Sequence, residues 1–250
     1  MGQISKQGTP LDGMDKINKE EESKTLAFAV RAYSRADRHQ VRSLCCNTGY
    51  FGYPVESVFQ DRKWFADFNT SYYLRFEPDS CYVAEERRET PRIIGYILGC
   101  KHPVKFNLIF YPFIATPLIL KAVMKSLFRI YDTKSKAYIK HLIIKGSRER
   151  PKRPSRTAHF HFNVEKGYRN KGVGRALIRT LFRHFLENSV HDVYGELLHA
   201  EKLRDESFYT AHGFKFYDKK PTSIQKEGFG RIHWVTVTAR IEETKDIFDL

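Results

Sequence analysis

Residues 158–187 read AHFHFNVEKGYRNKGVGRALIRTLFRHFLE and place three local patterns in succession. In Ala158–Val164, hydrophobic residues alternate with His and Asn, which is the period of a β-strand. Three glycines, Gly167, Gly172 and Gly174, interrupt this pattern, and apolar residues then recur every three or four positions. The stretch therefore predicts a strand, a glycine-bearing turn and an amphipathic helix that packs on a sheet.

The turn between this strand and helix has the composition of an anion-binding loop. Glycine lets the backbone approach a ligand closely, and unpaired N–H groups at the start of a helix favour a phosphate. A Walker loop requires Lys and then Ser or Thr after its last glycine, but Val173 follows Gly172. A dinucleotide fingerprint requires a small residue where Leu177 stands. An Arg-x-x-Gly-x-Gly pattern remains, at Arg169, Gly172 and Gly174.

This pattern and its flanking elements resemble the acetyl-coenzyme A loop of the GNAT superfamily of N-acetyltransferases. That loop carries Gln or Arg, two free positions, Gly, one free position, and then Gly or Ala. A short glycine motif also fits an ordinary strand-to-helix turn, which is the alternative interpretation. The preceding strand and the amphipathic helix favour the ligand-binding interpretation.

A second segment, SFYTAHGFKFYD at residues 207–218, resembles the C-terminal signature of the same superfamily. In that signature a Tyr precedes a Gly-Phe pair by four residues, as Tyr209 precedes Gly213 here. The sequence departs from the signature upstream, where Lys202 and Asp205 replace small polar and Ala residues. The chain is also similar to the acetyltransferase-like domain of eukaryotic O-GlcNAcases, which leaves a non-catalytic module as an alternative.

The resemblance implies sites for acetyl-coenzyme A as co-substrate, with no metal. It places the pantetheine arm along the strand, the diphosphate on the turn, and Tyr209 near the thioester sulfur as the acid that protonates the departing thiolate. The implied cofactor-binding residues are Phe162, Asn163, Val164, Arg169, Asn170, Lys171, Gly172, Val173, Gly174 and Arg175. The general base that deprotonates the acceptor amine stays open among Glu196, His199, His159 and His161.

The fold implied is α/β (α+β), a GNAT-type mixed and mostly antiparallel central sheet flanked by helices. A single domain is expected at 25–240, between a disordered polar tail at 1–24 and a C-terminal tail at 241–250. Strands are predicted at 25–33, 81–86, 93–100, 158–164, 192–201, 214–218 and 232–239. Helices are predicted at 34–46, 58–76 and 205–212, besides the one after the glycine turn.

A long helical insertion, 101–157, separates predicted strands 3 and 4. Its apolar run at 106–120 is shorter than the ~20 residues of a membrane-spanning helix and contains two prolines, so no span is expected. Residues 118–131 predict a basic amphipathic helix. Three cations share one stripe of it: Lys121, Lys125 and Arg129. A lid bordering the acceptor pocket is the favoured interpretation, and docking on an anionic membrane is the alternative.

The chain carries 43 Lys and Arg against 29 Asp and Glu, a net charge of +14 that favours anionic partners. The basic segment 145–156 has no interleaved aromatic residues, so we expect a mobile solvated loop rather than a nucleic-acid site. Four cysteines without CxxC spacing and a polar N-terminus without a signal-peptide pattern predict a reducing cytoplasm, with neither zinc nor disulfides.

These observations together predict an acetyl-coenzyme A-dependent N-acetyltransferase acting on a primary amine of a small molecule or peptide. The alternative is a non-catalytic coenzyme A-binding or membrane-surface module. The acceptor-lining loops carry no motif that names the acceptor.

Overall fold

The computed structural model describes residues 28–203, 205–224 and 226–250. The polar tail expected at 1–24 and the first residues of the predicted first strand lie outside the described residues. A seven-stranded sheet forms the centre of the domain, in the order β1-β2-β3-β4-β5-β7-β6. Its strands are β1 Phe28–Ala32, β2 Cys81–Glu86, β3 Arg92–Cys100, β4 Ala158–Val164, β5 Asp192–Ala200, β6 Lys215–Pro221 and β7 Ile232–Arg240.

Only the β4–β5 pair is parallel among these strands, and the other five pairs are antiparallel. Helices cover both faces of the sheet, and the predicted mixed α/β fold is confirmed. The helices are α1 Arg38–Thr48, α2 Arg62–Phe76, α3 Pro103–Leu127, α4 Thr133–Ile144, α5 Gly146–Glu149, α6 Val173–Glu187, α7 Ser207–Thr210 and α8 Lys245–Phe248.

Helix α6 is the one predicted after the glycine turn, and it covers one face of the sheet. Its apolar side is fully buried, as the four-residue spacing of Leu177, Leu181 and Phe185 predicts. Gly99 of β3 lies beneath it, because a Cβ at that position would be 2.6 Å from Leu181 Cδ1 and 2.9 Å from Phe185 Cζ. The bare backbone of β3 therefore lets α6 approach the sheet closely.

The opposite face carries α1, α2 and the insertion, which share a second apolar core. Helix α2 begins at Arg62, later than predicted, because Asp61 caps it by accepting a hydrogen bond from the Trp64 amide at 3.0 Å. A short 3-10 turn, Val55–Ser57, precedes the predicted start, and residues 58–61 are not helical.

The insertion forms α3, α4 and α5, and the expectation of a helical insertion agrees with the structure. Helix α3 runs through both prolines over 25 residues, with a mean hydropathy of 1.6 in its most apolar window, so the length argument against a membrane span is wrong. By length and composition alone, α3 is able to cross a bilayer. A π-helical segment, Phe110–Ala115, accommodates Pro112 inside the helix.

The structure differs from two further expectations, the basic stripe of the helix at 118–131 and the tail at 241–250. The helix predicted at 118–131 ends at Leu127, and Lys125 does not face water with its neighbours but pairs with Asp61 at 2.5 Å. Residues 241–250, expected as a tail, form a 3-10 turn and α8, which bury Ile241 and Phe248 completely.

Candidate functional site

The sheet splits where β4 and β5 diverge. These parallel strands pair only at Ala158 and His159 among the described residues, whereas β4 pairs with β3 from His159 to Val164. The Glu165 amide donates to the Ile94 carbonyl of β3 at 2.9 Å. Because backbone direction alternates along a strand, the peptide groups of even-numbered β4 residues point away from β3, into the gap.

That alternation gives the predicted cofactor strand a backbone edge without a strand partner. The Phe160 C=O, both peptide groups of Phe162 and the Val164 N–H face the position that β5 has left, while Arg169 Nε donates to the Val164 C=O. Backbone groups of this kind require a hydrogen-bonding partner when they are buried. The gap is therefore suited to an extended ligand that carries amide groups of its own.

The glycine turn lies above the same edge. Gly172 is the N-cap of α6 with φ +80°, a left-handed conformation that favours glycine, and Asn170 also has a positive φ of +60°. The first intrahelical bond is donated by Ala176, so the three preceding amides remain available to an anion. A Cβ on Gly174 would lie 3.8 Å from Phe162, which places the helix start directly over the strand.

The cations predicted for phosphate binding have different positions. Arg169 donates from Nε to the Val164 carbonyl at 3.2 Å, and its guanidinium lies over Gly52. The Lys171 ammonium lies 5.8 Å from the Tyr168 ring centroid, at the turn. Arg175 contacts Asp249 at 3.4 Å on the exposed side of α6. Arg169 thus ties the turn to the end of β4.

A cavity of about 640 Å³ occupies the other side of the gap. It is lined by His161 and Tyr194 on the insertion face of the sheet, and also by Phe160 and Leu197, which belong to the α6 face. Residues of both faces can line one cavity because the sheet is split there. The cavity therefore reaches the edge of β4 that the turn covers.

Comparisons with known proteins agree with this geometry. Residues 137–216, which run from α4 into β6, match a family model described as an acetyltransferase (GNAT) domain. Over these residues the chain is similar to GNAT acetyltransferases. The matched region contains β4, the glycine turn, α6 and the Tyr209 segment, so it includes every residue on which the predicted resemblance rested. No curated protein sequence matches the chain.

Solved structures extend the agreement to the fold. SsHAT is 20% identical, with 86% of this chain and 98% of that chain covered and a TM-score of 0.58. YncA from Salmonella typhimurium, described as a candidate acetyltransferase with its cofactor acetyl-CoA, is 13% identical over 87% and 95% of the two chains, with a TM-score of 0.47. The likeness to SsHAT concerns the fold, and the similarity to the O-GlcNAcase domain stays a prediction.

The insertion forms one wall of the cavity, as the lid interpretation expects. Phe106 and Phe110 of α3 stack with ring centroids 4.7 Å apart and both line the cavity. Tyr138 and Leu142 of α4 line it too. The aromatic loop that follows α1, residues 50–54, contributes Tyr50 to the lining. The cavity is thus mostly apolar, with a small set of polar groups.

Glu196 is the central acid of the cavity and is not free to act as a base. Arg150 donates to both its carboxylate oxygens, at 3.0 and 2.9 Å, and Arg153 donates to it as well. Burial raises the Glu196 pKa, and the Arg153 guanidinium opposes that rise. Arg153 also donates to the Tyr111 hydroxyl of α3 at 2.9 Å.

This ion-paired group corrects the expectation of a solvated basic loop at 145–156. Two of its arginines lie at the cavity wall, and neither the charge run nor the spacing of the sequence could indicate their acidic partner more than 40 residues away. The sequence offered two signals for this group: arginines shortly before the predicted cofactor strand, and a Glu within the next predicted strand. Lys152, which lies between these two arginines in the sequence, is exposed.

His159 of β4 is buried and His161 is half-buried, and both have lowered pKa values. Burial lowers the pKa of His161 to about 4 and that of His159 to about 3. Asn163 Nδ2 donates to the Tyr96 hydroxyl at 2.7 Å and also lies 3.4 Å from His161 Nε2. Since a donor faces Nε2, we assign Nε2 as the acceptor of the Tyr96 hydroxyl at 3.0 Å and the ring proton to Nδ1. His161 therefore accepts no further proton at Nε2 without breaking this chain of hydrogen bonds.

Tyr209 lies on the α6 face of the sheet. It is buried beside His199 and Phe216, with ring centroids 5.7 and 5.4 Å away, and is not among the residues that line the cavity. Gly213, four residues later, has φ +75°, which explains the glycine of the signature. The catalytic role of Tyr209 stays a prediction, and His199 is placed beside it rather than in the cavity.

Proposed function

We propose that the chain is an acetyl-coenzyme A-dependent N-acetyltransferase that acts on a primary amine of a small molecule or peptide. The observation that carries the proposal is the backbone edge of β4 beyond His159, which has no strand partner on the β5 side, lies under the uncapped start of α6 and opens to the cavity. A cytoplasmic location is part of the proposal. It suits four buried free cysteines.

The two halves of the site suit the two halves of the donor. Pantetheine contains two amide groups, which match the outward peptide groups of Phe162 and Val164. The diphosphate matches the free amides at the start of α6 and the cations Lys171 and Arg175 nearby. The thioester then lies at the gap, where the cavity meets β4.

The cavity sets the chemical character of the acceptor. Its aromatic walls and concave shape favour a small molecule or a single side chain over a folded surface. In the reaction, the amine nitrogen bonds to the thioester carbon, the carbon–sulfur bond breaks, and the thiolate takes a proton. Tyr209 is the proposed donor of that proton, since a phenol of pKa ~10 can protonate a basic thiolate.

The amine must lose a proton before it attacks, because an alkylamine has a pKa of ~10.4. Glu196 is held by two arginines, and His161 already accepts a hydrogen bond at Nε2. We therefore propose that the proton leaves through water in the cavity. Arg150 and Arg153 together carry more charge than Glu196, so this part of the cavity wall is net positive. A positive wall disfavours the protonated form of the acceptor amine.

Calorimetry with acetyl-coenzyme A tests the donor site. Gly172→Ala and Gly172→Glu both force a side chain into a left-handed conformation, but only Glu adds a negative charge beside the diphosphate. We expect wild type to bind, and Gly172→Glu to bind at least about tenfold more weakly than Gly172→Ala. No binding by folded wild type, or equal affinities of the two variants, contradicts the proposal.

Release of free thiol in the presence of an amine panel tests turnover. We expect Tyr209→Phe to lower kcat by at least about tenfold while calorimetric affinity for acetyl-coenzyme A stays within a factor of ~2. A wild type that binds acetyl-coenzyme A tightly but releases no thiol with any amine supports the alternative, a non-catalytic coenzyme A-binding module.

A further inference from the structure

Exposed hydrophobic side chains are concentrated on the insertion. Eleven of the sixteen large hydrophobic residues that are exposed among the described residues belong to 104–144. Phe113 is 74% exposed and Phe128 is 69% exposed, whereas comparable residues elsewhere, such as Leu203 and Tyr217, are isolated. Contiguous apolar surface of this kind marks an interaction site, while scattered residues do not.

These residues form one continuous stripe along α3. The π-helical segment adds a residue to its turn, so the five-residue step from Leu108 to Phe113 keeps both side chains on one side. Three- and four-residue steps then continue the stripe to the residue after the helix. We call this stripe the outer face of α3: Val104, Leu108, Phe113, Pro117, Leu120, Met124 and Phe128.

The charged side chains of residues 101–131 are all basic, and the next acid along the chain is Asp132. Residues 101–131 contain five Lys and Arg and no Asp or Glu. Lys121 and Arg129 are exposed beside the stripe, and the next helix, α4, adds exposed Lys134 and Lys140. A hydrophobic stripe bordered by cations complements a bilayer with anionic headgroups.

The inner face of α3 is fixed to the domain, which determines how the helix can meet a bilayer. The Trp64 indole donates to the Leu118 carbonyl at 2.6 Å, and Lys125 pairs with Asp61. Phe106 and Ala122 are buried on the same side. A spanning orientation would break these contacts and expose Lys121 and Lys125 to hydrocarbon, whereas an orientation parallel to the surface keeps them.

We propose that the outer face of α3 binds the surface of an anionic lipid bilayer, with the helix parallel to it. A second copy of the chain fits less well, because a twofold interface on this face would bring Lys121 and Arg129 of both copies together. Phe106 and Phe110 on the inner face line the cavity, so binding brings the cavity within about one helix diameter, ~10 Å, of the lipid.

Vesicle co-sedimentation of the full chain tests the proposal. The vesicles are phosphatidylcholine alone, or phosphatidylcholine with about 30 mol% phosphatidylserine. One variant carries Phe113→Ser and Phe128→Ser, and its matched control carries Leu203→Ser and Tyr217→Ser. A third carries Lys121→Gln and Arg129→Gln. All six positions are at the surface, and circular dichroism checks that each variant is folded.

We expect wild type and the matched control to bind the anionic vesicles at least about tenfold more tightly than the neutral ones. The Phe113/Phe128 variant loses binding to both, and the Lys121/Arg129 variant loses about tenfold on anionic vesicles only. Absence of wild-type binding, or equal loss in the matched control, overturns the proposal. A wild-type dimer in sedimentation velocity that the Phe113/Phe128 variant abolishes also overturns it, in favour of a second copy.

Discussion

Asp61 caps α2 with one hydrogen bond and joins it to the insertion with two more, and its replacement separates their contributions. Its carboxylate accepts from the Trp64 amide at 3.0 Å, from the Tyr131 hydroxyl at 2.8 Å and from the Lys125 ammonium at 2.5 Å. Asp61→Ala removes all three, while Asp61→Asn keeps a cap and an acceptor for Tyr131. The pair of variants therefore isolates the charge.

The contribution of each bond to the free energy of unfolding depends on how far its partners are buried. The helix cap contributes about 1 kcal/mol, and the partner lost by the buried Tyr131 hydroxyl about 1–2 kcal/mol. The half-exposed Lys125 pair contributes at most about 1 kcal/mol, after solvent screening. Asp61→Ala should thus cost about 3 kcal/mol of unfolding free energy and lower Tm by about 6–12 °C, and Asp61→Asn about 1 kcal/mol.

Urea unfolding followed by tryptophan fluorescence measures these costs. Trp64 contacts the Leu118 carbonyl of α3, so its emission reports the junction directly. Equal costs for the two variants, or a cost below about 1 kcal/mol for Asp61→Ala, would refute the reasoning. The second outcome would also mean that α3 is held by apolar packing alone.

The same carboxylate predicts a pH dependence. Burial raises the Asp61 pKa, but the bonds from Lys125, the Trp64 amide and Tyr131 outweigh it, so the net shift is downward. A depressed folded pKa contributes stability above the unfolded value of ~3.9 that is lost as pH falls through the folded value. The difference between wild type and Asp61→Asn should be constant from pH 5 to 8 and close below about pH 4.

Two further predictions concern the sheet and the cavity wall. Gly99→Ala places a Cβ 2.6 Å from a leucine of α6 and 2.9 Å from a backbone oxygen, and should cost about 1–3 kcal/mol in urea unfolding. Gly195→Ala meets nothing closer than 3.6 Å and should stay within about 0.5 kcal/mol, so equal costs would contradict the packing argument. Glu196→Gln should release the segment around Arg153 and speed its limited cleavage by trypsin at least about threefold, whereas Glu206→Gln, at an exposed pair, should not. Unchanged cleavage in Glu196→Gln would mean that the arginines are held by other contacts.

Prediction from sequence succeeded where the signal was local. The alternation in β4 and the apolar spacing of α6 gave both elements with nearly the observed bounds, because each period reports which side of one element is buried. Helix ends were less certain. Asp61 as a cap and the π segment at Pro112 moved the limits of α2 and α3 by contacts that the periodicity does not contain.

The sequence by itself determined the strand, the turn and the helix of the predicted cofactor loop, since glycine at a positive φ and a four-residue apolar period are properties of neighbouring residues. Only the tertiary structure decided that β4 and β5 part after His159, that Arg150 and Arg153 meet Glu196, and that α3 keeps one side on the domain and the other exposed. Each of these depends on elements far apart in the chain. Their relative positions are set by packing across the sheet, and no local pattern encodes them.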